Sequence, residues 1–195
     1  MSLHNYLNKY NINDYEGNCS NIPKQMEHLI SFVNDFTVKN ILEIGFNAGH
    51  SSELFLSHSL ANVVSFDLNQ RPCVDIAKKY IDTKFPLRHT LIKGDSTKMV
   101  PEYYKNNKNI TFDIIFINRG LQYDIAYSDI CNCKLISHKD TIVIVDDIVL
   151  NKDLQTDCSL EPTLAWSNAN INSIVEQHGY EIYSIGRGMV WGKYL

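Results

Sequence analysis

Between Pro23 and Phe36 the apolar residues Met26, Leu29, Ile30 and Val33 recur at helical spacing, and Pro23 suits the first turn of such a helix. Downstream the period shortens. Short apolar runs predict strands at about 41–45, 62–67, 88–93, 113–117, 141–146, 180–185 and 189–193, and helical stretches separate the first five. Alternation of strand and helix selects an α/β fold with a mostly parallel central sheet, because parallel neighbours need crossover connections. The last two runs are joined differently. Gly186-Arg-Gly188 reads as a tight turn, which makes them an antiparallel hairpin at one edge of the sheet. Residues 1–22 are polar, without clear period, and read as an irregular or partly helical N-terminal extension; residues 23–195 read as a single domain. After the fifth strand, residues 151–166 carry Asp153, Asp157, Glu161 and Pro162 and read as a loop able to close over a substrate. Trp166 then begins a helix through Ile171, Ile174 and Val175 and either lines an acceptor pocket or packs that helix on the sheet.

Composition narrows the function. A chain of 195 residues with 44% hydrophobic content supports one sizeable core. A net charge of −4 argues against a nucleic-acid partner, which would call for a basic face, and Lys78, Lys79, Lys105 and Lys108 read as solvated helix faces. No apolar run approaches bilayer-spanning length and the first ten residues lack a leader pattern, so a soluble, cytoplasmic protein with no membrane partner is expected. The five cysteines form an odd set without C-x-x-C spacing, as expected of reduced thiols.

The most informative segment is Asn40-Ile-Leu-Glu-Ile-Gly-Phe-Asn-Ala-Gly-His-Ser51, where an apolar strand runs into a glycine-relieved loop and then a helix. Gly45 and Gly49 let backbone N–H groups approach a ligand, and Ser51 and Ser52 are candidate helix caps. The spacing is E-x-G-x-x-x-G rather than the dinucleotide G-x-G-x-x-G, which makes pyrophosphate cradling the weaker reading and a nucleoside the stronger one. Asp67 ends the second strand about 20 residues on, where a carboxylate can accept both ribose hydroxyl hydrogens, or can cap the following segment.

Taken in order, Glu43-Ile-Gly-Phe-Asn-Ala-Gly-His-Ser51, Val63-Val-Ser-Phe-Asp67, Lys93-Gly-Asp-Ser96, Phe112-Asp-Ile-Ile-Phe-Ile117, Ile142-Val-Ile-Val-Asp-Asp147 and Trp191-Gly-Lys-Tyr194 resemble the class I S-adenosylmethionine-dependent methyltransferases. The branch is that of the small catechol-type and sugar-type O-methyltransferases, and the likeness runs from about residue 25 to the C-terminus. It implies a Rossmann-like seven-stranded sheet ending in an antiparallel edge hairpin, with S-adenosylmethionine as cofactor. Carried over residue by residue, it places Glu43, Gly45, Asn47 and Gly49 at the methionine end, Asp67 on the ribose, and Asp95 with Ser96 at the adenine edge. Asp95 is equally a candidate helix cap. His50 reads as a loop and helix-start residue of the same motif.

The chain departs from that family after the fourth strand. Where the family usually reads Ile-Asp-Gly-Gly-His, this sequence has Ile117-Asn-Arg-Gly-Leu121, so an acid and a histidine are missing. Asn118 retains a carbonyl oxygen, Arg119 can pair with an anionic acceptor group or simply face solvent, and Leu121 can neither ligate nor accept a proton. Asp146 and Asp147 follow the fifth strand. With Asn118 and waters they form a reduced ligand set for magnesium; alternatively they cap the next segment or hold substrate hydroxyls directly. Asp147, Asn118 and Arg119 are thus the candidate catalytic residues, and a weak or absent metal requirement is expected. The expected partner is a small-molecule acceptor such as a sugar, with a homodimer as the assembly to test. Two rival functions stand beside methyl transfer: a catalytically impaired S-adenosylmethionine-binding protein and a nucleotide-dependent oxidoreductase.

Overall fold

The computed structural model describes residues 1–13, 15, 18–118 and 122–195. Its strands are β1 (Asn40–Ile44), β2 (Asn62–Asp67), β3 (His89–Lys93), β4 (Phe112–Ile117), β5 (Ser137–Asp146), β6 (Val175–Ser184) and β7 (Arg187–Tyr194). They form one seven-stranded sheet in the order β3-β2-β1-β4-β5-β7-β6. The β1–β2, β2–β3 and β4–β5 pairs are parallel, whereas β7 runs antiparallel to both β5 and β6. This is the Rossmann-like, mostly parallel seven-stranded sheet with an antiparallel C-terminal edge hairpin expected from the sequence. The chain divides into two compact units, Met1–Asp95 and Ser96–Leu195.

In the first unit Ile41, Leu42 and Ile44 of β1 are fully buried, as a parallel strand covered on both faces requires. The covering helices are α2 (Pro23–Val33), α3 (His50–His58) and α4 (Cys73–Lys84). α4 buries Cys73, Val74, Ala77, Tyr80 and Ile81, one stripe at helical spacing. The N-terminal stretch is more ordered than its composition suggests. Its helix α1 (Leu3–Lys9) is capped by the Ser2 side chain and buries Leu3 and Leu7, and the Tyr80 hydroxyl of α4 donates to the Met1 carbonyl (3.0 Å).

In the second unit β4 and β5 supply the buried apolar run, flanked by α5 (Ser96–Asn106), α6 (Tyr123–Cys133) and α7 (Asp157–Ile171). The segment after β5 departs from expectation. Instead of a loop to residue 166, a 3-10 turn over Lys152–Leu154 leads into α7 at Asp157, and Val175 opens β6 rather than extending a helix. A reciprocal Thr156–Ser159 capping box starts α7, and Pro162 is accommodated inside it. The edge turn also sits earlier than expected. Ser184 pairs with Arg187, so Ile185 and Gly186 make the turn, with Gly186 at φ +68°. Gly188 lies within β7, where an added Cβ would sit 2.2 Å from the Ile148 carbonyl oxygen. Among the described residues no helix is long and apolar enough to cross a membrane.

Candidate active site

The loop after β1 turns three times into positive φ, at Gly45 (95°), Asn47 (46°) and Gly49 (79°), before His50 begins α3. Only glycine, and to a lesser degree asparagine, enters this region readily, so the sequence is matched to the path of the loop. Asp67 at the end of β2 holds the loop in place: one carboxylate oxygen accepts the Asn47 N–H (2.9 Å) and the other the Asn69 N–H (2.7 Å). Asp67 is not the cap of α4, which begins six residues later at Cys73. The Gly94 N–H donates to the Asp67 carbonyl (2.8 Å), which ties the turn carrying Asp95 to the same strand end. Within this unit Gly45, Asn47, Gly49, Asp67 and Asp95 are therefore organised by the carboxyl ends of β1, β2 and β3, the position at which open α/β sheets bind ligands. The Cys73 thiol donates to the Asn47 side-chain oxygen (3.1 Å), and burial raises its pKa, which keeps it a neutral thiol.

Glu43 takes a different position from its neighbours in the motif. Its side chain is fully buried beneath the loop, where its carboxylate accepts the hydroxyls of Ser51, Ser52 (2.5 Å) and Ser65 (2.6 Å). Burial raises the Glu43 pKa, and the three hydroxyls act the other way. Ser51 and Ser52 do not cap α3, since the residue at the cap is Gly49 and no side chain bonds there. Leaving a buried carboxylate unpartnered costs more than leaving a helix end to solvent, so the serines turn inward. His89 extends the network, with Nε2 2.9 Å from Ser65 Oγ and 3.4 Å from Ser52 Oγ. Burial holds its pKa down to about 4. Sequence reasoning missed both Ser65 and His89; a polar residue inside an apolar strand run was the available signal.

The second unit carries the residues expected at the catalytic edge. Ser96 opens α5 and is buried, and its hydroxyl donates to the buried Asp129 of α6 (3.0 Å), which leaves its backbone as its means of meeting a ligand. Asn118 follows β4 and is half-buried; Arg119, Gly120 and Leu121 lie outside the described residues. Asp146 is buried at the end of β5 and accepts the Asp147 N–H (2.9 Å). Asp147 stands at φ +59° with its carboxylate 3.3 Å from Arg187 Nη1 at the start of β7. Burial raises its pKa while the guanidinium opposes the shift. Trp166 is fully buried and its indole N–H donates to Gln177 (2.8 Å), so it packs α7 onto β6. The start of α6 is fastened to α7 instead, by the Tyr123 N–H on Glu161 (2.7 Å) and by Asn168 on the Tyr123 hydroxyl (2.8 Å).

Comparison with solved structures returns the same architecture. An O-methyltransferase from Bacillus cereus in complex with SAH superposes with a TM-score of 0.75 at 19% identity, covering 99% of this chain and 90% of that one. The O-methyltransferase TomG from Streptomyces achromogenes, involved in tomaymycin synthesis and solved with SAM, gives a TM-score of 0.75 at 16% identity over 98% of this chain and 87% of that one. At such identities the likeness establishes the fold. No curated protein matches the chain by sequence. The family described as a methyltransferase domain matches residues 42–148, from the buried strand β1 to just past the paired aspartates after β5. That match spans more than half of the sequence, and the chain belongs to this methyltransferase domain family.

Proposed function

We propose that the protein transfers a methyl group from S-adenosylmethionine to an oxygen of a small polar acceptor such as a sugar. The observation that carries this reading is the Asp67 carboxylate, which locks the glycine loop while retaining capacity for a ligand. A carboxylate offers about four acceptor positions. Asp67 uses one on each oxygen for the Asn47 and Asn69 N–H groups, leaving one on each for the two ribose hydroxyls. Gly45, Asn47 and Gly49 then present backbone to the methionine end, and Asp95 with the Ser96 backbone meets the adenine edge. Glu43 acts beneath them as the support of the loop.

Magnesium does not fit the residues expected to hold it. A divalent cation near Asp147 would sit against the Arg187 guanidinium, whose Nη1 lies 3.3 Å from the carboxylate. Among the described residues no three His, Cys, Asp or Glu side chains converge as a metal site. The transfer is therefore derived from the protein's own groups. The acceptor oxygen attacks the methyl carbon in line as the carbon–sulfur bond breaks, releasing S-adenosylhomocysteine, and the hydroxyl proton passes to the Asp147 carboxylate. A raised pKa suits Asp147 to that task, since a stronger base takes the proton more readily at neutral pH. Asn118 holds an acceptor hydroxyl through its amide, and Arg119 pairs with an anionic group on the acceptor. A reducing cytoplasm agrees with five cysteines that are all free thiols.

Incubation with methyl-labelled S-adenosylmethionine and a panel of hydroxylated acceptors, with and without EDTA, tests the proposal. Label transfer insensitive to EDTA is expected. Transfer abolished by chelation and restored by magnesium would overturn the metal-free mechanism. Cofactor binding without transfer to any acceptor would favour the impaired-binder reading, which the Asn118 and Leu121 replacements support.

A further inference from the structure

His89 opens β3 and is 7% exposed, yet it touches the cofactor loop on one side and the buried carboxylate network on the other. Its ring stacks on Phe46, with centroids 4.9 Å apart and planes at 28°. Phe46 lies inside the loop between Gly45 and Asn47 and is itself buried. The same ring lies close to Gly49, where an added Cβ would lie 3.0 Å from Phe46 Cζ. Phe46 is thus in contact with both His89 and the second loop glycine.

The hydrogen-bond arithmetic fixes the other side. The hydroxyls of Ser52 and Ser65 each have one hydrogen, and both lie within bonding distance of Glu43 Oε2. With Glu43 ionised and both hydrogens on its carboxylate, neither Ser65 nor Ser52, 3.1 Å away, has a hydrogen left for the imidazole, so the consistent arrangement has His89 donating from Nε2 to Ser65 at 2.9 Å. Nδ1 is buried and has no hydrogen-bond partner among the described residues. One neutral imidazole therefore joins Phe46 above to Glu43 below.

We infer that His89 is a positioning residue for the cofactor loop, holding Phe46 by stacking and the Glu43 carboxylate through Ser65, so that the Gly45–Gly49 backbone keeps its ligand-ready path. The inference rests on the reading of that loop as the cofactor site, but it concerns the order of the loop itself and is measurable without cofactor. Replacing His89 should loosen residues 45–49 while the second unit is unaffected. A donor with a flat face should substitute for the imidazole, whereas an aromatic ring without a donor should not.

Amide hydrogen exchange on the ligand-free full chain, paired with calorimetric titration by S-adenosylhomocysteine, tests this with wild type, His89→Gln and His89→Phe. In His89→Phe, exchange across Gly45–Gly49 is expected to quicken at least tenfold with β4 and β5 unchanged, and S-adenosylhomocysteine to bind at least tenfold more weakly. His89→Gln is expected within threefold of wild type in both. Equal protection of the loop in all three proteins, or equal loss in Gln and Phe, would overturn the inference, as would quickened exchange spread evenly over the chain. The expected exchange differences among the three proteins, with no binding of S-adenosylhomocysteine by wild type, would overturn the functional reading and leave the positioning role standing.

Discussion

Two acids at the carboxyl ends of strands, the buried Glu43 near the end of β1 and the half-buried Asp147 just after β5, are stabilised in opposite ways. Glu43 is sealed by serine hydroxyls and has no exposed surface. Asp147 remains partly open, faces a half-exposed arginine and sits in left-handed backbone. Both have raised pKa values from burial. What separates them is access. A carboxylate whose oxygens are filled by fixed hydroxyls is part of the scaffold, whereas one held by a single mobile cation can exchange that partner for a substrate. That difference suits the first acid to loop support and the second to the proton transfer proposed above.

The largest expected effect breaks the first region at its turn. Gly45→Val places a β-branched side chain at φ +95° and is predicted to abolish S-adenosylhomocysteine binding in calorimetry, with the second unit still folded by circular dichroism. Binding at wild-type strength would show that the loop does not contact the ligand. Glu43→Ala acts one layer below and leaves three buried hydroxyls without their acceptor. A stability loss of about 1–3 kcal/mol is expected from urea unfolding, typical of orphaned buried polar groups. No change in the unfolding midpoint would mean the serine network contributes nothing.

Arg187→Ala sharpens the second region. Without the guanidinium the Asp147 pKa rises further, so the acidic limb of the kcat/KM profile should move to higher pH. A limb that stays in place would remove Asp147 from the proton transfer. The smallest effect concerns stability against pH. His50 and His89 are both held near 4 by burial, below the usual value of about 6.5. On acidification the unfolded chain therefore takes up protons that the folded chain refuses, and their contribution to stability, complete above about 6.5, is lost as the pH falls towards 4. The raised pKa of Glu43 works in the opposite direction. The histidine share is accordingly the difference between wild type and a His50→Gln, His89→Gln double variant, whose unfolding midpoint should fall less between pH 7 and pH 4.5.

The same contrast explains what could be read from the sequence. Strands such as β2 were legible to the residue, and the glycine loop was legible because its glycines, Asn47 and Asp67 lie in one continuous strand–loop–helix–strand stretch. The Glu43 cage was not. It draws on Ser65 and His89 from neighbouring strands, and Ser51 and Ser52 carry the same local signal as helix caps. α7 was hidden for another reason. Leu160, Leu164 and Ile171 are exposed while Ser159 and Thr163 are buried, which inverts the usual apolar stripe, and Pro162 reads as a break. The buried hydroxyl of Thr163 is satisfied locally, donating to the Ser159 carbonyl (2.6 Å) and accepting the Val149 N–H (2.9 Å). Arg187 was likewise missed as the partner of Asp147, since the two lie forty positions apart.

We propose that Asp67 and the loop it holds form a nucleoside site for S-adenosylmethionine. Calorimetric titration of wild type and Asp67→Ala with S-adenosylmethionine, S-adenosylhomocysteine and NAD tests it most directly. Wild type is expected to bind the first two and not NAD. Asp67→Ala is expected to lose about 1.5–3 kcal/mol, roughly 10- to 150-fold in affinity, as charge-assisted hydrogen bonds to the ribose disappear. Binding of NAD with silence towards S-adenosylhomocysteine, or equal affinity in the two proteins, would contradict it.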